Sequence, residues 1–356
     1  MPPASAILCK EDTVMNLHLS ESNMKKVPYR FSCAASLCFL ITLTAALSCF
    51  SCRAYAGVWQ KDFNEALLAA QIHNKNIFLL FTGLGWDTAS EELQSAIFET
   101  DEFKKEAGGK YILLHIDVPA AESPGSMSAA AAETYQLAVN MGVEALPAAL
   151  LVTKTGQPFA FLPMTSQTKT PKDVLSLIKR EGKKARNINT LYAKMQKTEG
   201  TAKAKAMDAY IEAVPARFRF ALADLFAEII AADPENKTGL LGKYKLRQAF
   251  ENASRAFHAG DLESALNGFL VLINEKDLLS PTELQEAYYT VAYLSAQSGK
   301  IAQDEAVAYL RQAYSAAPKS EKAADILKLI DSLLGVENRP ATDENTDSAA
   351  GSVTEK

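Results

Sequence analysis

An acidic side chain and a hydroxyl stand three residues apart in the stretch Trp86-Asp87-Thr88-Ala89-Ser90. A carboxylate and a serine could act as an acid and a nucleophile if a base lay within hydrogen-bond reach of the hydroxyl. The nearby histidines, His73 and His115, have no motif that links them to Ser90. Asp and Ser are also preferred residues at helix N-termini. Helix capping is therefore the favoured interpretation, and no catalytic residue is assigned.

The cysteines supply no other chemistry here, because all five precede residue 53. They are Cys9, Cys33, Cys38, Cys49 and Cys52. Thiol–disulfide exchange needs an attacking thiolate and a second thiol that resolves the mixed disulfide. No group of His and Cys has the spacing of a zinc site. We expect no metal and no cofactor.

Residues 1–56 have the pattern of a secretory signal peptide with an upstream extension. An uncharged run of 18 residues, 33–50, follows Lys25 and Lys26 and precedes Ala54-Tyr55-Ala56. A basic segment, an apolar run and an A-x-A site define such a signal. Cleavage after Ala56 predicts an exported chain, in the periplasm or cell envelope.

Two alternatives for the N-terminus stay open. The apolar run is long enough to cross a bilayer, so an uncleaved segment would anchor the chain to the membrane. Lipid attachment at Cys49 is a weaker alternative. Met24 precedes the basic segment directly, and translation from Met1 and from Met24 are both compatible with the signal.

The charge balance argues against nucleic-acid binding. Without residues 1–56, five of 37 basic and three of 42 acidic side chains are lost, which leaves 32 against 39 and a net charge of −7. A nucleic-acid-binding protein would concentrate positive charge.

Residues 57 to about 170 alternate between helical and strand patterns. Helical spacing covers 59–72 and 129–140, and a further helix begins near Asp87, with Thr88 and Glu91 at the spacing of a capping box. Apolar runs predict strands at 77–81, 111–118, 148–152 and 158–162, of which the last two form a hairpin. Two parallel β/α units followed by a hairpin and a helix indicate an α/β domain.

Two motifs in this region resemble the thioredoxin-like family. One is Met141-Gly142-Val143-Glu144-Ala145-Leu146-Pro147-Ala148, in which Pro147 matches the family's cis proline. The other, residues 79–90, resembles the Phe-x-Gly-x-x-Trp-Cys-x-x-Cys arrangement of exported, DUF255-like and thioredoxin-7-like relatives. On that alignment Trp86 is in register, Asp87 replaces the nucleophilic cysteine and Ser90 replaces the resolving one.

The resemblance implies a thioredoxin-like domain at 57–186 that lacks redox cysteines. In the family, the backbone before this proline pairs with an extended peptide, so the implied binding groove comprises Trp86, Leu146 and Pro147. Main-chain pairing of this kind does not require the cysteines.

The second half predicts an all-α domain at 187–335. Helical patterns cover 171–197, 201–214, 216–232 and 239–257. Two later segments resemble tetratricopeptide-like units: one has Gly260, Ala265 and Phe269, and the other has Gly299, Ala306, Leu310, Ala313 and Pro318. Tyr288, Tyr289, Tyr293, Tyr309 and Tyr314 are expected on these helices. The acidic, apolar-poor residues 336–356 are predicted to be a disordered tail.

The sequence therefore predicts a non-enzymatic module of the cell envelope that binds or scaffolds proteins or peptides. One alternative is a member of a thiol–disulfide exchange system that borrows a partner's thiol. Another is a domain that is kept only for its stability.

Overall fold

The computed structural model describes residues 57–120, 127–165, 168–298 and 302–335. The predicted signal peptide at 1–56 and the predicted tail at 336–356 lie outside these residues, as does Gly299. The described chain contains a mixed five-stranded sheet with helices, followed by a C-terminal part that is all helical.

The strands are β1 (Trp59–Gln60), β2 (Asn76–Thr82), β3 (Tyr111–Asp117), β4 (Ala148–Val152) and β5 (Pro158–Leu162). The helices that precede residue 200 are α1 (Phe63–Ile72), α2 (Thr88–Leu93), α3 (Asp101–Gly108), α4 (Ala129–Asn140), α5 (Pro171–Glu181) and α6 (Lys184–Met195). The later helices are α7 (Gly200–Ala213), α8 (Asp224–Ala232), α9 (Leu241–His258), α10 (Leu262–Asn274), α11 (Pro281–Ser298), α12 (Gln303–Ala316) and α13 (Ala323–Leu333). A π-helical turn, Gln94–Phe98, joins α2 to α3.

The sheet has the order β1-β3-β2-β4-β5. β2 runs parallel to β3 and antiparallel to β4, and β4 and β5 form an antiparallel hairpin. The predicted strands and hairpin are therefore confirmed. β2 is the central strand and is buried along almost its whole length, as expected for a continuous apolar run.

The first helix is shorter than predicted. Trp59 pairs with Leu113 as part of the edge strand β1, and α1 begins only at Phe63. The carboxylate of Asp62 fixes this start because it accepts the backbone N–H of Glu65 at 2.8 Å.

An aromatic cluster packs around the first residues of the sheet. Trp59 stacks on Phe103 with ring centroids 6.2 Å apart, and both rings contact Phe78 and Phe98. Edge-to-face packing of these rings adds to the apolar area that they bury. The cluster packs β1 and β2 against α3 and the π-helical turn.

Two predicted helices are interrupted. The predicted helix at 171–197 is divided into α5 and α6: α5 ends at Glu181, and its C-cap Gly182 donates its N–H to the carbonyl of Ile178. The predicted helix at 216–232 begins instead with a 3₁₀ segment, Ala216–Leu222. There, Arg219 donates to the backbone carbonyls of Val214 and Glu212 at 2.8 and 2.9 Å, which holds the chain in a tight turn.

The later helices pack in chain order around two apolar clusters. Ala265 and Phe269 of α10 are buried in the first, and Leu310 and Ala313 of α12 in the second. Tyr288 stacks on Tyr309 at 6.5 Å, whereas Tyr289 and Tyr293 are exposed on α11. The five tyrosines therefore lie on α11 and α12 as expected.

The chain divides into two compact units. One comprises the residues up to Ala193 together with Tyr210–Ala221, and the other comprises Lys194–Ala209 with the residues from Leu222 onward. The unit division runs through α7. The predicted domain bounds, 57–186 and 187–335, stay predictions.

Candidate functional site

The turn after β2 is organised by Asp87. Asp87 is the N-cap of α2, and its carboxylate accepts the backbone N–H of Ser90 at 2.9 Å. Its own N–H donates to the carbonyl of Gly83 at 2.8 Å. The capping interpretation of Asp87 is confirmed. The predicted capping box of Thr88 and Glu91 is wrong, because Asp87 caps the helix and Glu91 instead accepts the Gly85 N–H at 3.1 Å.

Ser90 is fully buried and both of its hydrogen-bonding functions are used. Its oxygen accepts the backbone N–H of Gly83 at 3.0 Å, and its hydroxyl donates to the Asp87 carboxylate. A hydroxyl that is buried in this way is not accessible to a substrate. Ser90 therefore holds the turn together rather than capping the helix itself.

Trp86 projects from this turn and is 45% exposed. Its indole N–H donates to the carbonyl of Val118 at 2.9 Å, which fixes one edge of the ring. The ring lies so close to Gly83 that a Cβ at that position would be 2.5 Å from it. The chain thus presents an apolar ring to solvent in one orientation.

A line of hydrogen bonds connects the core to the same turn. The Thr82 hydroxyl lies 2.7 Å from His115 Nε2 and 3.1 Å from Asp117 Oδ1, which also accepts the Leu84 N–H at 2.8 Å. Burial lowers the pKa of His115 and outweighs the opposing effect of Asp117. Because the Thr82 hydroxyl donates to Asp117, its oxygen accepts the Nε2 proton of His115. The interpretation of His115 as a packed, hydrogen-bonded residue is confirmed.

His73 lies at the opposite end of strand β2 from Ser90. It is the C-cap residue of α1 and precedes the first residue of β2, whereas Ser90 follows the last. The seven residues of β2 separate the two positions by roughly 20 Å along the strand. The structure therefore does not bring His73 to Ser90.

The loop before β4 lies at the same end of the sheet as the turn that carries Trp86. The Leu146–Pro147 peptide bond is cis, as the resemblance implied, and Leu146 and Pro147 are half-buried. Ala148 pairs with Phe81, so this loop and the turn after β2 leave the sheet side by side. Within the described residues, the backbone amides of Glu144, Ala145 and Leu146 have no hydrogen-bond acceptor.

A third segment, which the sequence analysis missed, packs on this loop. The guanidinium of Arg217 lies 4.4 Å from the centre of the Phe161 ring and donates to the carbonyl of Gly142 at 3.2 Å. Phe218 is buried, and Phe220 is 43% exposed beside Gly142. The alternation of arginine and phenylalanine at 217–220 was the available signal, since a period of two does not fit the predicted helix.

Other kinds of site are not apparent in the described part of the chain. No group of three or more His, Cys, Asp or Glu side chains there is arranged to hold a metal ion. Within the same ranges, no helix combines the length and the apolar character that crossing a membrane requires.

Comparisons with known proteins give three findings. A family described as "Uncharacterised protein C-terminal domain" matches residues 240–339. A protein of Treponema pallidum (strain Nichols), described as an uncharacterized protein, is 27% identical over 273 residues, which are 76% of this chain and 87% of that protein. A solved structure titled "DsbH Oxidoreductase" is similar over 35% of this chain and 84% of its own, with 21% identity and a TM-score of 0.31.

Proposed function

We propose that this chain is an exported, non-enzymatic binding or scaffolding protein that holds extended protein or peptide segments at the edge of a thioredoxin-like domain. The observation that carries the proposal is the contrast between Trp86, which is exposed and held in one orientation, and Ser90, which is fully buried. Trp86, which could contact a partner, is accessible to solvent, whereas Ser90, whose hydroxyl could react, is not.

The topology supports the thioredoxin-like assignment. The chain has two parallel strands joined through helices, then an antiparallel hairpin entered through Pro147, and then a helix that begins at Pro171. This is the element order that the sequence motifs implied. The tetratricopeptide-like assignment of the later helices is supported by the burial of Ala306, Leu310 and Ala313 on α12.

The unpaired amides provide the binding mode. An extended peptide that lies along 144–146 would accept hydrogen bonds from alternate N–H groups of this segment, such as those of Glu144 and Leu146, as in the addition of a strand to a sheet. An apolar side chain of the same peptide would then contact the Trp86 ring. Buried aromatic anchors of this kind dominate the energetics of many interfaces.

The position of Asp87 and Ser90 argues against thiol chemistry. Their side chains bond to each other and to the backbone at the N-terminus of α2, where an active relative would hold its cysteine pair. Neither can form a mixed disulfide. A thiol-exchange assay with a supplied partner dithiol tests the alternative in which this chain borrows a thiol.

Selection from a displayed library of random peptides, each about nine residues long, tests the proposal. The bait is the chain from residue 57 onward. We expect enriched peptides whose binding, measured by fluorescence anisotropy, falls at least about tenfold in Trp86→Ala and in Leu146→Arg.

Leu68→Ala is the matched control, because Leu68 is an exposed apolar residue of the same unit, 59% exposed, on α1. It should bind as the unchanged chain does. Thermal unfolding checks that every variant is folded. Equal binding by all variants would contradict the groove and favour a domain that is kept only for its stability.

Export is a separate part of the proposal and rests on the N-terminal sequence alone. Cleavage after Ala56 would give a mature chain that begins at Gly57. Intact-mass measurement of the chain recovered from the cell envelope tests this. A mass that includes residues 33–50 would support the membrane-anchored alternative instead.

A further inference from the structure

Three segments at the end of the sheet that carries Trp86 have acidic residues only, whereas Lys169 after β5 and Arg217 beside Gly142 lie at the same end. In segments 83–92, 117–120 and 142–147 the charged residues are Asp87, Glu91, Glu92, Asp117 and Glu144. These segments contain no Lys and no Arg. Three of these residues lie in the Trp86 turn or in α2, one ends β3, and Glu144 lies in the loop with the unpaired amides.

The carboxylates differ in how far their hydrogen-bonding capacity is used. Asp87 and Glu91 accept backbone amides of their own turn. Asp117 uses Oδ1 for Thr82 and Leu84, and the residue is exposed. The Glu144 side chain is 88% exposed, and its carboxylate is 3.7 Å from Arg217. Glu144 and Asp117 therefore retain oxygens that can accept hydrogen bonds from a partner.

Arg217 does not neutralise this edge. Its guanidinium lies over Phe161 and donates to the carbonyl of Gly142, and it offsets at most one of the five acidic charges, that of Glu144. At 3.7 Å the Arg217–Glu144 separation exceeds hydrogen-bond length, so the pair is a weak surface ion pair. The loop keeps its acidic character.

We propose that the surface formed by the Trp86 turn and the loop 142–147 binds an extended segment of a partner protein. In this segment a Lys or Arg neighbours an apolar residue. This inference rests on the proposed function and adds the chemical class of the bound segment. The apolar residue contacts Trp86 or Phe220, which are 45% and 43% exposed. The basic side chain reaches Glu144 or Asp117, and the backbone of the segment pairs with the amides of 144–146.

The chain's own C-terminal segment has the wrong charge for this role. Residues 336–356 contain five acidic and two basic side chains. Like charges across an interface suppress binding of the wrong partner. A separate protein with a basic segment is therefore the occupant that the charges favour.

The expected contribution of charge is modest and depends on salt. One exposed ion pair changes affinity by roughly two- to fivefold, so a segment with two basic residues would bind about tenfold more tightly than its neutral counterpart. Charge of this kind acts mainly on specificity and association rate. Screening should remove most of the difference at about 0.5 M salt.

The test uses the peptides selected as described above. Each selected sequence is synthesised in three forms, with its basic positions occupied by Lys, Gln or Glu, and its affinity for the unchanged chain is measured at about 0.05 M and about 0.5 M salt. We expect enrichment of Lys and Arg in the selected pool. We also expect the order Lys, Gln, Glu at low salt, with nearly equal affinities at high salt.

Glu144→Gln identifies the residue responsible. It should reduce the preference for Lys over Gln by about twofold or more while leaving the Gln form unaffected. Glu106→Gln is the matched control, because Glu106 is exposed near the end of α3, at the opposite edge of the sheet. It should change neither the affinity for the Lys form nor the affinity for the Gln form.

The outcomes separate the inference from the proposed function. If peptides bind in a Trp86-dependent way but the Lys, Gln and Glu forms bind equally, the charge inference is overturned and the groove stands. If no Trp86-dependent peptide is selected, the proposed function fails and the inference fails with it. An enriched pool that is acidic would also overturn the inference.

Discussion

The hydroxyl of Ser90 donates a hydrogen bond to the carboxylate of Asp87, which it faces across the first turn of α2. The same Ser90 oxygen accepts the N–H of Gly83, and the same carboxylate accepts the N–H of Ser90. Asp87 and Ser90, at positions where reactive residues could have stood, thus provide hydrogen-bond acceptors for three donors of the turn that presents Trp86. These donors are the Gly83 N–H, the Ser90 N–H and the Ser90 hydroxyl. The pair is a structural element of the site.

Disruption of this pair should reduce stability. Ser90→Ala leaves the buried Gly83 N–H without its acceptor, which costs about 1–3 kcal/mol of unfolding free energy. Asp87→Ala removes an N-cap, which costs about 0.5–2 kcal/mol. Because the two side chains bond to each other, the double variant should lose less than the sum of the single losses. Urea unfolding followed by the fluorescence of Trp59 and Trp86 reports on this unit.

An additive double variant would contradict the coupling. A Ser90→Ala loss below about 0.5 kcal/mol would show that the Gly83 amide finds another acceptor. Ser95→Ala is a suitable control, because Ser95 is exposed and its hydroxyl bonds only to carbonyls of its own helix.

The orientation of Trp86 should depend on the glycine beneath it. A methyl group at Gly83 would lie 2.5 Å from the indole ring, which is a side chain that can rotate away. Gly83→Ala should therefore displace the ring, break its bond to Val118 and weaken peptide binding, with a smaller effect on stability. The emission of Trp86, measured in a Trp59→Phe background, should shift to longer wavelength as the ring becomes more exposed.

Gly85→Ala provides the comparison. A Cβ at Gly85 would meet no atom within 4 Å, but the positive φ of 83° makes the substitution strained. It should lower stability and leave the Trp86 emission nearly unchanged. A similar spectral shift in both variants would mean that the ring position does not depend on Gly83.

The sequence predicted most of the sheet, because short β-favouring apolar runs such as 77–81 and 148–152 are typical of strands buried on both faces. It also predicted that Asp87 caps a helix, since the cap is a local interaction. The contact of Arg217 with Gly142 joins residues 75 positions apart, and no local pattern encodes such a contact. The need for glycine at position 182 is likewise non-local, since an added Cβ would lie 2.3 Å from the hydroxyl of Tyr111 on β3.

The stability of the sheet unit should depend on the protonation of His115. Burial lowers the pKa of His115 in the folded chain below its ordinary value near 6.5, so the unfolded chain binds more protons at mildly acidic pH. Stability from this group is therefore complete above about pH 6.5 and declines as the pH falls toward the folded-state pKa.

His115→Gln isolates this effect, because glutamine can donate to Thr82 but does not titrate. Urea midpoints of both proteins are compared at about pH 7.5 and about pH 5.5. The loss on acidification should be smaller in the variant, and the difference between the two losses is the contribution of His115. Equal losses would show that His115 is freely protonated in the folded chain.

The helical unit contains a close approach that only glycine permits. A Cβ at Gly242 of α9 would lie 1.9 Å from the backbone carbonyl oxygen of Leu278, and backbone atoms cannot rotate away. Gly242→Ala should therefore separate α9 from the segment before α11 and cost about 1–3 kcal/mol of unfolding free energy.

Gly268→Ala is the matched control: Gly268 lies within α10, is exposed and has no atom within 4 Å of an added Cβ. It should stabilise α10 by up to about 1 kcal/mol, because alanine favours helix more than glycine does. Circular dichroism at helical wavelengths follows thermal unfolding of both variants, and the expected result is a lower midpoint for the first and a slightly higher one for the second. A Gly242→Ala midpoint equal to that of the unchanged chain would mean that α9 and Leu278 are not in contact in solution.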